Sequence, residues 1–108
     1  MKRFLFLLAT VGAAASVWAA DDAATLKLGK ELFSKGSVPA CAVCHTLKDA
    51  GAVGAVGPVL DELKPDAARV AAALRNGIGQ MPSYMGTLDD KQIAALASYV
   101  AKATGAAK

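Results

Sequence analysis

The chain has 108 residues, with twelve Lys or Arg against nine Asp or Glu, one His, two Cys and a formal charge of +3. That is one domain with a thin core, of a size that leans on a disulfide, a metal or a cofactor for stability. Two cysteines allow one disulfide at most, and so even a charge balance gives no preference for nucleic acid or an anionic membrane.

The first twenty residues, MKRFLFLLATVGAAASVWAA, put Lys2 and Arg3 before an apolar run over 4–11 and then small residues up to Asp21. A basic start, a short apolar stretch and a small-residue exit make an export signal. It predicts a leader over 1–19, with cleavage after Ala20 as the alternative, and a mature domain over 20–108. An uncleaved anchor is the competing reading, but residues 4–20 are at the short limit for a bilayer span and weakly apolar in their second half. Loss of Lys2 and Arg3 leaves ten basic against nine acidic residues, a formal charge of +1. Trp18, the only tryptophan, leaves with the leader. No other run is long enough to cross a bilayer, so the expectation is a soluble, periplasmic protein without stable membrane insertion.

The rest reads as helices joined by glycine-rich loops, an all-α pattern with no convincing strand alternation. DAATLKLGKELFSKG places Leu28, Leu32 and Phe33 at helical spacing, with Gly36 as its stop. PACAVCHTL follows and holds both cysteines and the only histidine. DAGAVGAVGPVLDEL repeats glycine at 51, 54 and 57. Lying inside a small domain and laced with valines, it is expected to pack against something rather than to act as a tether, with one helical turn over 60–63. PDAARVAAALRNG puts Pro65 at a first-turn position and Gly77 as the C-terminal cap, with Val70, Leu74 and Ile78 facing inward. GIGQMPSYMGTL carries Met81 and Met85. DDKQIAALASYVAKATG starts at Asp89, pairs it with Gln92 in a capping box, runs an apolar stripe through Ile93, Leu96, Ala97 and Val100, and ends at Gly105.

Four readings compete for Cys41-Ala-Val-Cys44-His45. A thioredoxin-like dithiol needs a preceding strand and a βαβ context, which the chain lacks. A structural zinc site needs four Cys or His ligands, and only three exist. A disulfide across two residues closes a short loop, constrains the unfolded chain little and leaves His45 without a purpose. Covalent attachment of a c-type haem uses all three residues. Thiols three positions apart on a helical turn can each take one vinyl group, and the next residue can present its imidazole to iron. With no second histidine, a methionine is the available sixth ligand, which suits electron transfer. Met81, stiffened by Pro82, is favoured over Met85; the plainer reading of either is core packing.

At this point the chain resembles a class I cytochrome c of the small bacterial monohaem kind. The resemblance spans the whole mature chain: CAVCH, then Gly57-Pro58, then Met81-Pro82, then LDDKQIAALASYV. It implies about four short helices wrapped around one covalently bound haem c, with the N- and C-terminal helices crossing at Gly29, Phe33, Leu96 and Tyr99. It implies Cys41 and Cys44 as thioether anchors, His45 and Met81 as iron ligands, and Pro58 as carbonyl partner of the other His45 nitrogen. The chain departs from relatives at Val59, where many carry asparagine, and in having no mature tryptophan to meet a haem propionate. Tyr84, Gln80 and Arg75 are the candidates to stand in.

The resemblance implies an electron carrier rather than an enzyme. Its redox partners would be a dehydrogenase or quinol-oxidising complex as donor and a terminal oxidase or another cytochrome as acceptor. CAVCHTLKDAG, GPVLDELKPD and RNGIGQMPSY also resemble the small haem subunits of periplasmic sulfite dehydrogenases, so a dedicated subunit is the alternative. A haem enzyme or gas sensor with open iron is the third reading, disfavoured by the Met-Pro loop.

Overall fold

The computed structural model describes residues 22–107 together with Gly12; apart from Gly12, the expected leader and its cleavage site lie outside the described residues. Among the described residues five α-helices follow one another: α1 Ala23–Glu31, α2 Cys41–Cys44, α3 Leu60–Leu63, α4 Ala67–Asn76 and α5 Asp90–Ala103. Between α2 and α3 two short strands, β1 Thr46–Leu47 and β2 Ala52–Val53, pair antiparallel with Thr46 opposite Val53 and Leu47 opposite Ala52. This pair was not anticipated, because two residues are too few to display an alternation.

α1 begins where Asp22 accepts from the Thr25 amide at 2.7 Å, satisfying one of the first-turn N–H groups that have no partner within the helix. The helix widens into a π turn over Leu32–Gly36, which buries both Leu32 and Phe33. α5 carries the expected capping box: the Gln92 amide donates to Asp89 at 2.8 Å and the Asp89 amide donates to Gln92 at 2.9 Å. Its stripe is fully inside, with Ile93, Leu96, Ala97 and Val100 all at 3% exposure or less.

α1 lies across α5. A Cβ on Gly29 would collide with the Ala95 carbonyl and the Tyr99 Cβ, so the crossing is closer than any other residue would allow. Phe33 meets Tyr99 edge-on with ring centroids 6.1 Å apart, a favourable aromatic geometry. The Tyr99 hydroxyl donates to Asp49 at 2.6 Å, joining the helix crossing to the 3-10 turn over Lys48–Ala50. Burial and the carboxylate both hold the Tyr99 phenol above its ordinary range.

α4 also packs against α5. One expectation for it changes. Pro65 precedes the cap rather than entering the first turn, because the Asp66 side chain takes the cap by accepting from the Arg69 amide at 2.8 Å. Ile78 is 69% exposed, though it lines the cavity described below. The helix ends at Asn76 and Gly77 turns to φ +69°, so the helical period no longer governs the next residue. Among the described residues, no helix is long and apolar enough to cross a membrane.

Candidate cofactor site

α2 is a single turn holding the two cysteines. The His45 amide donates to the Cys41 carbonyl at 2.9 Å and closes it. Both thiols are free and half-buried, so the disulfide reading does not describe this arrangement. Burial pushes the Cys41 thiol up from its usual value, and the Ser37 hydroxyl lies 3.8 Å from its sulfur.

The glycine-rich stretch packs against α2, as expected. The Gly57 amide donates to the Cys44 carbonyl at 2.7 Å, and the Thr46 hydroxyl donates to the Gly54 carbonyl at 2.9 Å. A Cβ on Gly54 would sit 2.6 Å from the Cys44 carbonyl carbon and the His45 nitrogen. A Cβ on Gly57 would sit 2.5 Å from His45 Cε1. The loop is therefore pressed onto the Cys44–His45 backbone at one glycine and onto the imidazole at the other.

Beside this contact His45 Nδ1 lies 2.8 Å from the Pro58 carbonyl oxygen. A carbonyl only accepts, so Nδ1 carries the proton, and in the neutral ring Nε2 is the nitrogen with the lone pair. The ring is thus fixed in orientation and tautomer, as second-shell carbonyls fix metal-binding imidazoles.

His45, Cys41, Cys44 and Pro58 line one side of a cavity of about 760 Å³. α4 and α5 contribute Leu74, Leu96 and Val100, and the distal loop contributes Met81. The volume is that of a pocket for a large cofactor. Met81 sits on a tight hairpin: Ile78 and Met81 exchange backbone bonds of 3.0 and 2.9 Å around Gly79, whose φ is +55°. Gly77 makes room for it, since a Cβ there would lie 2.8 Å from the Met81 carbonyl. Met85, by contrast, is 57% exposed and outside the lining.

Tyr84 fastens the hairpin. Its amide donates to Leu74 at 2.7 Å and its hydroxyl donates to the Pro39 carbonyl at 2.6 Å, next to the cysteine turn. Burial pushes its phenol up to about 12, with the nearby cysteines adding to the shift. Its hydroxyl is therefore already committed. Arg75 faces Asp90 at 3.7 Å and lies outside the cavity lining. Of the three expected carboxylate partners only Gln80 still reaches the cavity with an uncommitted side chain. The side chain that sequence reasoning missed is Arg69. It lines the cavity on the same face of α4 as Ala73 and Asn76, at i, i+4 and i+7; that spacing was the available signal.

The residues present fit a covalently held haem. An apolar cavity of suitable volume has two free thiols and an imidazole with an available Nε2 on one wall, and a thioether on the loop that also lines it. The wider comparisons agree with this chemistry. Residues 24–100 match the family described as cytochrome c oxidase, cbb3-type, subunit III. The chain is 36% identical over 87 residues to cytochrome c6 of Tetradesmus obliquus, covering 71% of this chain and 89% of that one. It aligns with the crystal structure of the c-type cytochrome SorU from Sinorhizobium meliloti at a TM-score of 0.75 and 55% identity, covering 78% of this chain and 95% of that one.

Proposed function

This chain belongs to the class I cytochrome c family, a small electron carrier with covalently bound haem c, and we propose that Cys41 and Cys44 anchor the haem while His45 and Met81 ligate its iron. When bound, the haem would supply one-electron redox chemistry, with His45 and Met81 as the residues that would hold its iron. The chain's own residues prepare for that chemistry. Pro58 holds His45 by its Nδ1 proton, so that Nε2 is the atom left to bind metal. Gly57 leaves the ring room to keep that orientation. Leu74, Leu96 and Val100 keep water from the cavity's inner wall, and the Gly77–Gly79 turns set the backbone of Met81.

The single observation that carries the reading is the 2.8 Å contact from His45 to Pro58 on a residue that lines the cavity together with two free thiols. Its test is direct. The purified exported protein should be red, and its colour should stay with the polypeptide after denaturation and acid extraction. Met81→Ala should then bind carbon monoxide or cyanide rapidly at neutral pH, while the unaltered protein binds them slowly. Rapid binding by the unaltered protein would replace His/Met ligation with an open iron site.

Export by the 1–19 leader to the periplasm belongs to the same reading, with a dehydrogenase or quinol-oxidising complex as donor and an oxidase or cytochrome as acceptor. Contacts with such partners would be small and short-lived. The second reading, a dedicated haem subunit of a sulfite dehydrogenase, rests on the resemblance of CAVCHTLKDAG and RNGIGQMPSY to those subunits. Co-purification with a larger catalytic chain would favour it over a free shuttle.

A further inference from the structure

The even charge balance of the chain hides a local asymmetry. α1 and α5 bring Lys27, Lys30 and Lys102 around a second cavity of about 440 Å³, which Tyr99 and Asp49 also line. Asp49, its one carboxylate, is already committed: it accepts from the Tyr99 hydroxyl at 2.6 Å and meets Lys30 at 3.7 Å. Neither Lys27 nor Lys102 has an ion-pair partner among the described residues. Two exposed ammonium groups are therefore left in the lining without a counter-charge. This cavity shares no lining residue with the cofactor cavity. α5 is the wall between them: Leu96 and Val100 line the one, Tyr99 and Lys102 the other. The wall is bridged by rings. Phe33 lines the cofactor cavity, and its ring meets that of Tyr99 edge-on at 6.1 Å.

We propose that the cavity of Lys27, Lys30 and Lys102 is a docking surface for the acidic face of a redox partner protein, and that the electron crosses α5 beside the Phe33–Tyr99 pair. The inference rests on the haem reading above and deepens it. Opposite charge on the two faces raises the rate of encounter and fixes its orientation. One electron then passes between partner and haem. Neither ring is oxidised and Tyr99 keeps its proton, so its bond to Asp49 survives the step. Packed rings couple two redox centres better than a water-filled gap of equal length. Because the two cavities are separate, one partner can stay docked here while another approaches the mouth of the cofactor cavity.

The test uses the haem-loaded protein and two anionic probes. Polyglutamate at low ionic strength should move the backbone amide NMR signals of residues 26–30, 49 and 99–103, and leave those of 56–58 and 78–81 in place. Ferricyanide takes one electron from the ferrous protein and becomes ferrocyanide. Lys27→Glu/Lys102→Glu should slow that oxidation about tenfold, the lower end of what steering supplies. Lys35→Glu/Lys91→Glu makes the same change of net charge outside both cavities. It should slow the reaction less than about threefold at about 0.1 M salt, where charges more than about 10 Å away are screened. Phe33→Leu should slow ferricyanide while the polyglutamate footprint stays. Equal losses in the two double variants, a larger loss in Lys64→Glu beside the cofactor-cavity residues Leu63 and Pro65, a footprint at 56–58 and 78–81, or an unchanged rate in Phe33→Leu overturn the proposal. Capture on phosphatidylglycerol vesicles through the same lysines, with ferricyanide rates unchanged, makes the surface a membrane contact and overturns it too. Where Phe33→Leu does not accumulate, the lysine series decides alone. A chain purified without covalent haem fails the functional reading itself, whereas haem c with a silent lysine surface sinks only this inference.

Discussion

The crossing of α1 and α5 and the cavity between α2 and α4 are built on opposite plans. At the crossing the backbones approach until only Gly29 fits, Phe33 and Tyr99 are buried, and the tyrosine hydroxyl has its acceptor. Around the cavity Cys41, Cys44, His45 and Met81 are only half-buried, and Val56, which lines it, stands 69% exposed. The first region is complete with protein atoms alone; the second closes only with a cofactor inside it. In a domain this small, a haem in that cavity would complete the hydrophobic core.

The largest effect expected from that contrast follows haem loss. In a Cys41→Ala/Cys44→Ala chain, amides of the 51–58 loop and the 77–88 loop should exchange with opening free energies near zero, while α5 keeps residual protection. Hydrogen exchange by mass spectrometry reads both at once, and uniform protection across the two regions would break the comparison. Next is Gly29→Ala. The new methyl meets backbone at Ala95, so overpacking of about 1–3 kcal/mol applies at its upper end. The gain in helix propensity of about 1 kcal/mol offsets only part of it. A net loss of about 2 kcal/mol in urea unfolding, with the haem spectrum unchanged, is the expected outcome.

The two tyrosines sharpen the contrast further. Both phenols titrate above their ordinary value of 10.0 in the folded chain, Tyr84 at about 12. Above pH 10 the unfolded chain releases protons that the folded chain keeps, so the stability present below pH 10 falls as pH rises towards 12. Tyr84→Phe should flatten that slope and speed exchange in the distal loop. Tyr99→Phe should flatten it too, but loosen the turn at Asp49 instead. Urea midpoints across pH 9–12 measure the slope. The smallest effect is Lys30→Ala. The pair Lys30–Asp49 spans 3.7 Å with both side chains half exposed, and its loss should cost under about 0.5 kcal/mol in the same assay.

What was legible in the chain divides along the same line. α5 was readable to the residue, because capping box, stripe and terminal glycine all report locally. The Met81 hairpin and the packing of the glycine-rich loop were readable as tendencies. Pro65 was misplaced because a side-chain cap decides where a helical period begins, and that is not visible in hydrophobic spacing. Arg69 escaped because a charged residue on a helix ordinarily reads as solvated; only the cavity beside it gives it an inward side.

The contacts of Gly54 and Gly57 also bear on how much change the loop tolerates. A library randomised over 51–58 and selected for haem attachment should return a comb. Val53 would accept almost any side chain, Gly54 and Gly57 almost none, and a one-residue insertion between the two glycines would be lost entirely. The repeat that looks like low-complexity sequence is a ruler: its spacing of three measures the distance from the Cys44 backbone to the imidazole of His45.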